Sequence, residues 1–170
     1  NGRTSIFDYT NLPRLQRWAN GGKYDGALLS TEERALRDDM VRLLPLLQHP
    51  ALSSGDFYGL NWANLQTPDF GRNAEDSVSG RHLYAFLRHN RKARSTVLVV
   101  CNLNPAHAAD AHVHIPQHAV EWCAWRKPDC AFRDMLHPEA PALHCSVEEL
   151  CSVGLPVHVP AGAALLLEWS

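Results

Sequence analysis

The pattern of apolar and polar positions changes character near residue 50. Before that point, Leu36, Met40, Leu43, Leu44 and Leu47 recur at three- and four-residue spacing, while Glu33–Arg37 and Asp38–Arg42 are spaced four apart on other faces. Such spacing predicts an amphipathic helix with one apolar stripe. Ser30-Thr31-Glu32-Glu33 opens it with capping-box spacing, since the Ser hydroxyl can accept from the Glu33 N–H while that carboxylate reaches back. Pro45 predicts a kink or an end, because it lacks a backbone donor and clashes with the preceding turn. A shorter helix is expected over Leu12–Trp18, with Asn11 near its N-cap and Asn20-Gly21-Gly22 closing it. One short helix is little for the stripe to pack against.

From Gly55 onward the period becomes two. Asp56–Trp62 reads as a first strand, followed by a polar loop from Gln66 to Gly80 containing Pro68, Gly71 and Ser79. Arg81–Asn90 and Ser95–Asn104 pair as a hairpin around Arg91-Lys92-Ala93-Arg94. Ala111, Val113 and Ile115 alternate with His112 and His114, and Val157 and Val159 with His158, the mark of antiparallel strands wet on one face. Ala163–Trp169 is a final strand after the turn at Pro160-Ala161-Gly162, and Gln117–Trp125 fits either a short helix or an irregular strand. Leu83, Ala85 and Leu87 lie opposite Tyr84 and Phe86, so that strand is apolar on both faces and expects cover on each. Short strands separated by turns, mostly with no helix between them, predict a mainly β fold, an antiparallel sandwich rather than βαβ units. The expected boundary lies between a helical segment, 1–50, and the β region, 51–170.

Composition narrows the partners. The chain has 170 residues, 45% hydrophobic and 20% charged, which suits one large globular domain or two small ones. Sixteen Lys plus Arg against eighteen Asp plus Glu leave a net charge of -2, so there is no field for nucleic acid or an anionic membrane. No apolar run approaches the ~18 residues of a membrane span, and Val97–Cys101 has the length of a strand. A complete (β/α)₈ barrel, typically ~250 residues, does not fit this length. The start at Asn1, with no basic-then-apolar leader, reads as a processed end or a cut boundary. Cys101, Cys123, Cys130, Cys145 and Cys151 form no C-x-x-C pair and are odd in number. They read as reduced, buried small hydrophobes, which leans toward a cytoplasmic home.

Arg3-Thr4-Ser5-Ile6-Phe7-Asp8-Tyr9, Leu15-Gln16-Arg17-Trp18 and Asn20-Gly21-Gly22-Lys23 resemble the end of the catalytic barrel in the α-amylase superfamily, glycoside hydrolase family 13. Leu83-Tyr84-Ala85-Phe86-Leu87-Arg88, followed by Val97-Leu98-Val99-Val100-Cys101-Asn102-Leu103-Asn104, is similar to paired strands of that family's C-terminal β-sandwich, domain C. Pro156-Val157-His158-Val159-Pro160-Ala161-Gly162 and the closing strand resemble its last hairpin. The resemblance implies a Greek-key-like domain C sandwich preceded by the last loop and helix of a (β/α)₈ barrel. It implies a parent glycosidase or transglycosylase acting on α-1,4-linked glucans such as starch, glycogen and maltooligosaccharides, in which this part stabilises the barrel without catalysis of its own. The family's catalytic carboxylates belong to barrel strand ends upstream of this chain, so no catalytic residue is carried over, Asp8 included. Leu36, Met40, Leu43 and Leu47, with Tyr84 and Phe86, would then face the barrel, and without it the helix face is a surface for self-association.

Other chemistry is sparse. An exposed indole is a natural stacking surface for a hexose, and Trp62, Trp122 and Trp125 stand near predicted loops or strand ends, which makes them the candidates for glucan contact; Trp18 and Trp169 read as interface and core. His112 and His114 share a strand face and could be joined by His158 or His144 around zinc, giving a metal-binding or protein-interaction sandwich as a further reading. The polar face of a strand is a sufficient explanation for them. Arg88, Arg91, Lys92 and Arg94 suit a solvated hairpin turn, and Asp38-Asp39 and Glu148-Glu149 read as surface charges. There is no G-x-S-x-G elbow, Gly-rich phosphate loop or H-E-x-x-H, and no cofactor is implied.

Overall fold

A computed structural model describes residues 12–64, 70 and 82–170. Residues 1–11, which include Asp8 and the expected cap Asn11, and all of the 66–80 loop except Phe70 lie outside them. The chain divides between Pro45 and Leu46 into two compact units.

In the first unit, α1 (Pro13–Ala19) begins on a proline, with Leu12 at the N-cap and no side-chain cap. Proline's fixed φ suits the first helical position, where its missing N–H is one of the groups left unpaired in any helix. The helix closes on Asn20 in the left-handed region, at φ 42°. α2 (Thr31–Leu46) carries the expected capping box: the Glu33 N–H donates to Ser30 Oγ at 3.2 Å and the Ser30 N–H to Glu33 Oε2 at 3.0 Å. Arg17 Nε donates to the same carboxylate at 3.1 Å. Arg17 above all, then the Ser30 N–H, holds the Glu33 carboxyl down to about 2. Pro45 sits one residue before the helix end, and no residue of α1 or α2 is buried.

The second unit begins with α3 (Pro50–Ser54), β1 (Asp56–Gly59) and α4 (Asn61–Asn64). The hairpin follows as β2 (Leu83–Asn90) and β3 (Ser95–Asn102), registered Asn90 to Ser95 through Leu83 to Asn102. β4 (Ala109–Val113), α5 (Gln117–Trp122), β5 (Asp129–Asp134), β6 (Leu143–Ser146), α6 (Val147–Ser152), β7 (Leu155–Val159) and β8 (Ala164–Trp169) complete it. Among the described residues the strands form a six-stranded sheet, β1-β2-β3-β8-β5-β6, and a two-stranded sheet, β4-β7, antiparallel throughout. The fold is mainly β and antiparallel, as the period-two patterning predicts.

Alternation decides which residues enter the core. Leu83, Ala85 and Leu87 of β2, Leu98 and Val100 of β3, Leu167 and Trp169 of β8 and Phe132 of β5 are buried in one cluster with Ala111 and Val113 of β4 and Leu155, Val157 and Val159 of β7. The two sheets thus enclose one apolar layer, the arrangement of a sandwich. Arg88, on the opposite face of β2, donates to the Ala51 and Leu52 carbonyls of α3, so α3 covers part of that face. The expected strand 56–62 stops at Gly59. Leu60 still bonds to Ala85, but the Asn61 side chain then accepts from the Ala85 N–H at 2.8 Å and donates to the Leu83 carbonyl at 3.1 Å. An amide side chain thus takes over the ladder, and the backbone turns into α4. The segments forming β5, β6 and α6 carried no sequence expectation.

Candidate functional site

Turning the chain at Asn61 puts Trp62 on a helix at the surface, 56% exposed. Its Nε1–H donates to the Gly59 carbonyl at 3.0 Å, which restrains the indole. The His118 ring of α5 lies under it, 5.4 Å between centroids and 26° from parallel. His118 also meets Tyr58 at 5.8 Å, Tyr58 meets Trp122 at 5.2 Å, and Trp122 meets His89 at 5.5 Å. A continuous run of rings therefore leads from an exposed indole into the core. At its inner end His89 is buried and shares a 2.9 Å hydrogen bond between Nδ1 and Thr96 Oγ1. Burial pushes its pKa below the ordinary 6.5, with nearby Arg91 acting in the same direction.

The three candidate tryptophans occupy different environments. Trp122 and Trp125 are half-buried against the core, Trp125 packing on Trp169 at 5.1 Å with the Lys127 ammonium 5.2 Å from its ring centroid. Trp62 alone of the three presents most of its ring to solvent. Two members of the ring run, Tyr58 and His118, have no sequence signal marking them for this role, because their meeting depends on β1 and α5 converging.

His112 and His158 fall on one face of the β4–β7 sheet, in successive register pairs of that face, and His114 lies just past the end of β4. His158 pairs with Asp110 across β4 and β7, Nδ1 to Oδ1 at 2.7 Å. His114 turns Nε2 to the Cys151 carbonyl, and its backbone N–H donates to the buried Asn64 side chain at 2.6 Å. His144 lies on β6, in the other sheet. Among the described residues no group of three or more His, Cys, Asp or Glu is placed to hold a metal ion.

Within the first unit, Arg14, Trp18, Tyr24, Leu29, Glu33 and the α2 residues Leu36, Arg37, Met40, Val41 and Leu44 line a largely apolar cleft of ≈ 640 Å³. Trp18 meets Tyr24 edge-on at 5.1 Å. Of the residues expected to face a barrel, Leu36, Met40, Leu47 and Tyr84 are exposed, and Leu43 and Phe86 half-buried. All five cysteines are free thiols; burial raises each pKa, to about 12 at Cys123 and about 11 at Cys145.

No curated protein matches the chain. Among solved structures, the galactosidase domain of an α-galactosidase–sucrose kinase, AgaSK, is similar at a TM-score of 0.45 and 15% identity over 85% of this chain. The chain spans 17% of that structure's length. A family model, alpha amylase, C-terminal all-beta domain, matches residues 75–170, more than half of the sequence. That stretch contains β2 to β8, seven of the eight described strands, in which every pairing is antiparallel. The chain belongs to the α-amylase C-terminal all-β domain family and carries the non-catalytic domain of an amylase-family enzyme.

Proposed function

We propose that this chain closes an α-amylase-type enzyme acting on α-1,4-linked glucans, with residues 51–170 as the sandwich and residues 1–50 as the last loop and helix of the catalytic barrel. Its role is to cover and stabilise that barrel, and the isolated chain hydrolyses no starch. The observation carrying this reading is the apolar cleft of the first unit: Trp18, Leu36, Met40, Val41 and Leu44 line it and are all exposed. Burying a Leu or Met side chain is worth ~1.5–3 kcal/mol, a gain this face lacks and a barrel would supply. In the second unit, Tyr84 is exposed on the outer face of β2. Without the barrel the face should drive self-association. Sedimentation velocity across a concentration series should show oligomers that a Leu36→Asp/Leu44→Asp variant abolishes; a monomer at every concentration would overturn the assignment of this face.

A second reading rests on Trp62. The restrained indole stacked on His118 suits the flat C–H face of a hexose, so the sandwich would also tether glucan and raise its local concentration. In affinity electrophoresis with glycogen in the gel, this reading expects retardation that Trp62→Ala removes. Equal mobility with and without glycogen leaves the sandwich a scaffold.

A further inference from the structure

Among the described residues β6 is the outer strand of the six-stranded sheet and is paired only with β5. In that pairing Cys130 and Cys145 stand directly opposite each other, so both side chains leave the same face of the sheet. The Val147 N–H donates to the Pro128 carbonyl at 2.7 Å one step beyond the paired strands. Alternation from there makes Cys130–Cys145 a hydrogen-bonded pair, for which Cα atoms lie about 5.5 Å apart. That separation falls near the middle of the ~4.4–6.8 Å a disulfide spans. The Cys130 and Cys145 side chains act on each other electrostatically, and the buried Trp169 indole N–H near Cys130 has no hydrogen-bond partner.

We propose that Cys130 and Cys145 are an oxidation site at which hydrogen peroxide forms a cross-strand disulfide, fastening β6 and the adjoining α6 to the sheet. Cys145 is half-buried whereas Cys130 is 2% exposed, so peroxide reaches Cys145 first. Its thiol is oxidised to the sulfenic acid and peroxide leaves as water. The Cys130 sulfur then attacks the Cys145 sulfur, the S–S bond forms, and the sulfenic oxygen leaves with the Cys130 proton as a second water. Two thiols have lost two electrons and two protons, and one peroxide has become two waters. Cys151, half-buried on α6 with its thiol 3.6 Å from Gln117 Oε1, is the competing partner. This inference is independent of the glucan reading.

The test is peptide mapping of the full chain after peroxide treatment and alkylation of the remaining thiols in denaturant. Trypsin cuts after Arg126 and Arg133 and a glutamate-specific protease after Glu149, so Cys130, Cys145 and Cys151 fall on three separate peptides. The expected result is a Cys130–Cys145 linked pair, a chain lighter by two hydrogens and a thermal midpoint raised by several degrees. Cys151→Ser should still close the bridge, and Cys145→Ser should leave all four remaining thiols open to alkylation. A bridge between Cys145 and Cys151, or a Cys130 still alkylated after Cys145 has gone on to the sulfinic acid, overturns the proposal; both are read on the unaltered chain.

Discussion

The two units use their apolar side chains in opposite ways. In the second, strand alternation sends one side of each sheet into a shared layer, and residues as large as Phe132, Leu98 and Leu150 are wholly buried. In the first, α1 and α2 contain no buried residue, and Leu36 at 59% exposure belongs to a helix with an N-terminal capping box and regular spacing. Local signals can therefore be satisfied in both units while burial is achieved in only one. A capping box and an i,i+4 pattern specify a helix, but each cap contributes only about 1 kcal/mol. The larger hydrophobic gain requires a second surface.

That contrast can be broken by mutation. Phe132→Ala should cost roughly 3–5 kcal/mol in urea unfolding, since the ring is fully buried against Trp169 at 5.3 Å. The matching truncation Leu36→Ala should change stability by at most ~0.5 kcal/mol; a loss at Leu36 comparable to that at Phe132 would mean the first unit has a core of its own. Asn102→Ala should come next, at about 1–3 kcal/mol. Its amide donates to the His107, Val159 and Pro160 carbonyls at 2.9, 3.1 and 3.2 Å and its oxygen accepts from the Asn104 N–H at 3.0 Å, tying β3 to the β7 end.

Ser146→Ala, removing the cap of α6, should cost about 1 kcal/mol in the same unfolding curve. The equivalent cap of α2 should show itself through pH. Glu33 titrates near 2 when paired and near 4.5 when not, so the unpaired state takes up a proton first on acidification. Its contribution is whole above about 4.5 and is lost as pH falls toward 2. Helical circular dichroism should decline across that window, and Glu33→Gln should flatten the change; an unaltered profile in the variant would remove Glu33 from the cap.

Much of the β region was legible because period two is a local property. Ala109–Val113 and Leu155–Val159 show as alternation in the one-dimensional pattern, and Leu83–Asn90, Ser95–Asn102 and the last strand as short apolar stretches bounded by turns. β5 and β6 were not expected, since Asp129–Asp134 and Leu143–Ser146 are short and flank a run of turn residues. The helix between β6 and β7 was within reach. Ser146-Val147-Glu148-Glu149 has the same spacing as Ser30-Thr31-Glu32-Glu33, and its box closes with the Glu149 N–H donating to Ser146 Oγ at 3.1 Å and the Ser146 N–H to Glu149 Oε2 at 2.8 Å. Reading Glu148-Glu149 only as surface charge overlooked it.

By itself the sequence determined the start of α2, the hairpin around Asn90 and Ser95, and the faces of β4 and β7, because caps, turns and alternation act over a few residues. Tertiary structure alone decided that Asn61 ends β1 by inserting its amide into the ladder of β2. It also brought His118 beneath Trp62 and placed Cys130 opposite Cys145. These pairs are separated by 15 to 56 positions in the chain. No periodicity reaches that far, and their proximity follows from the order in which strands add to a sheet.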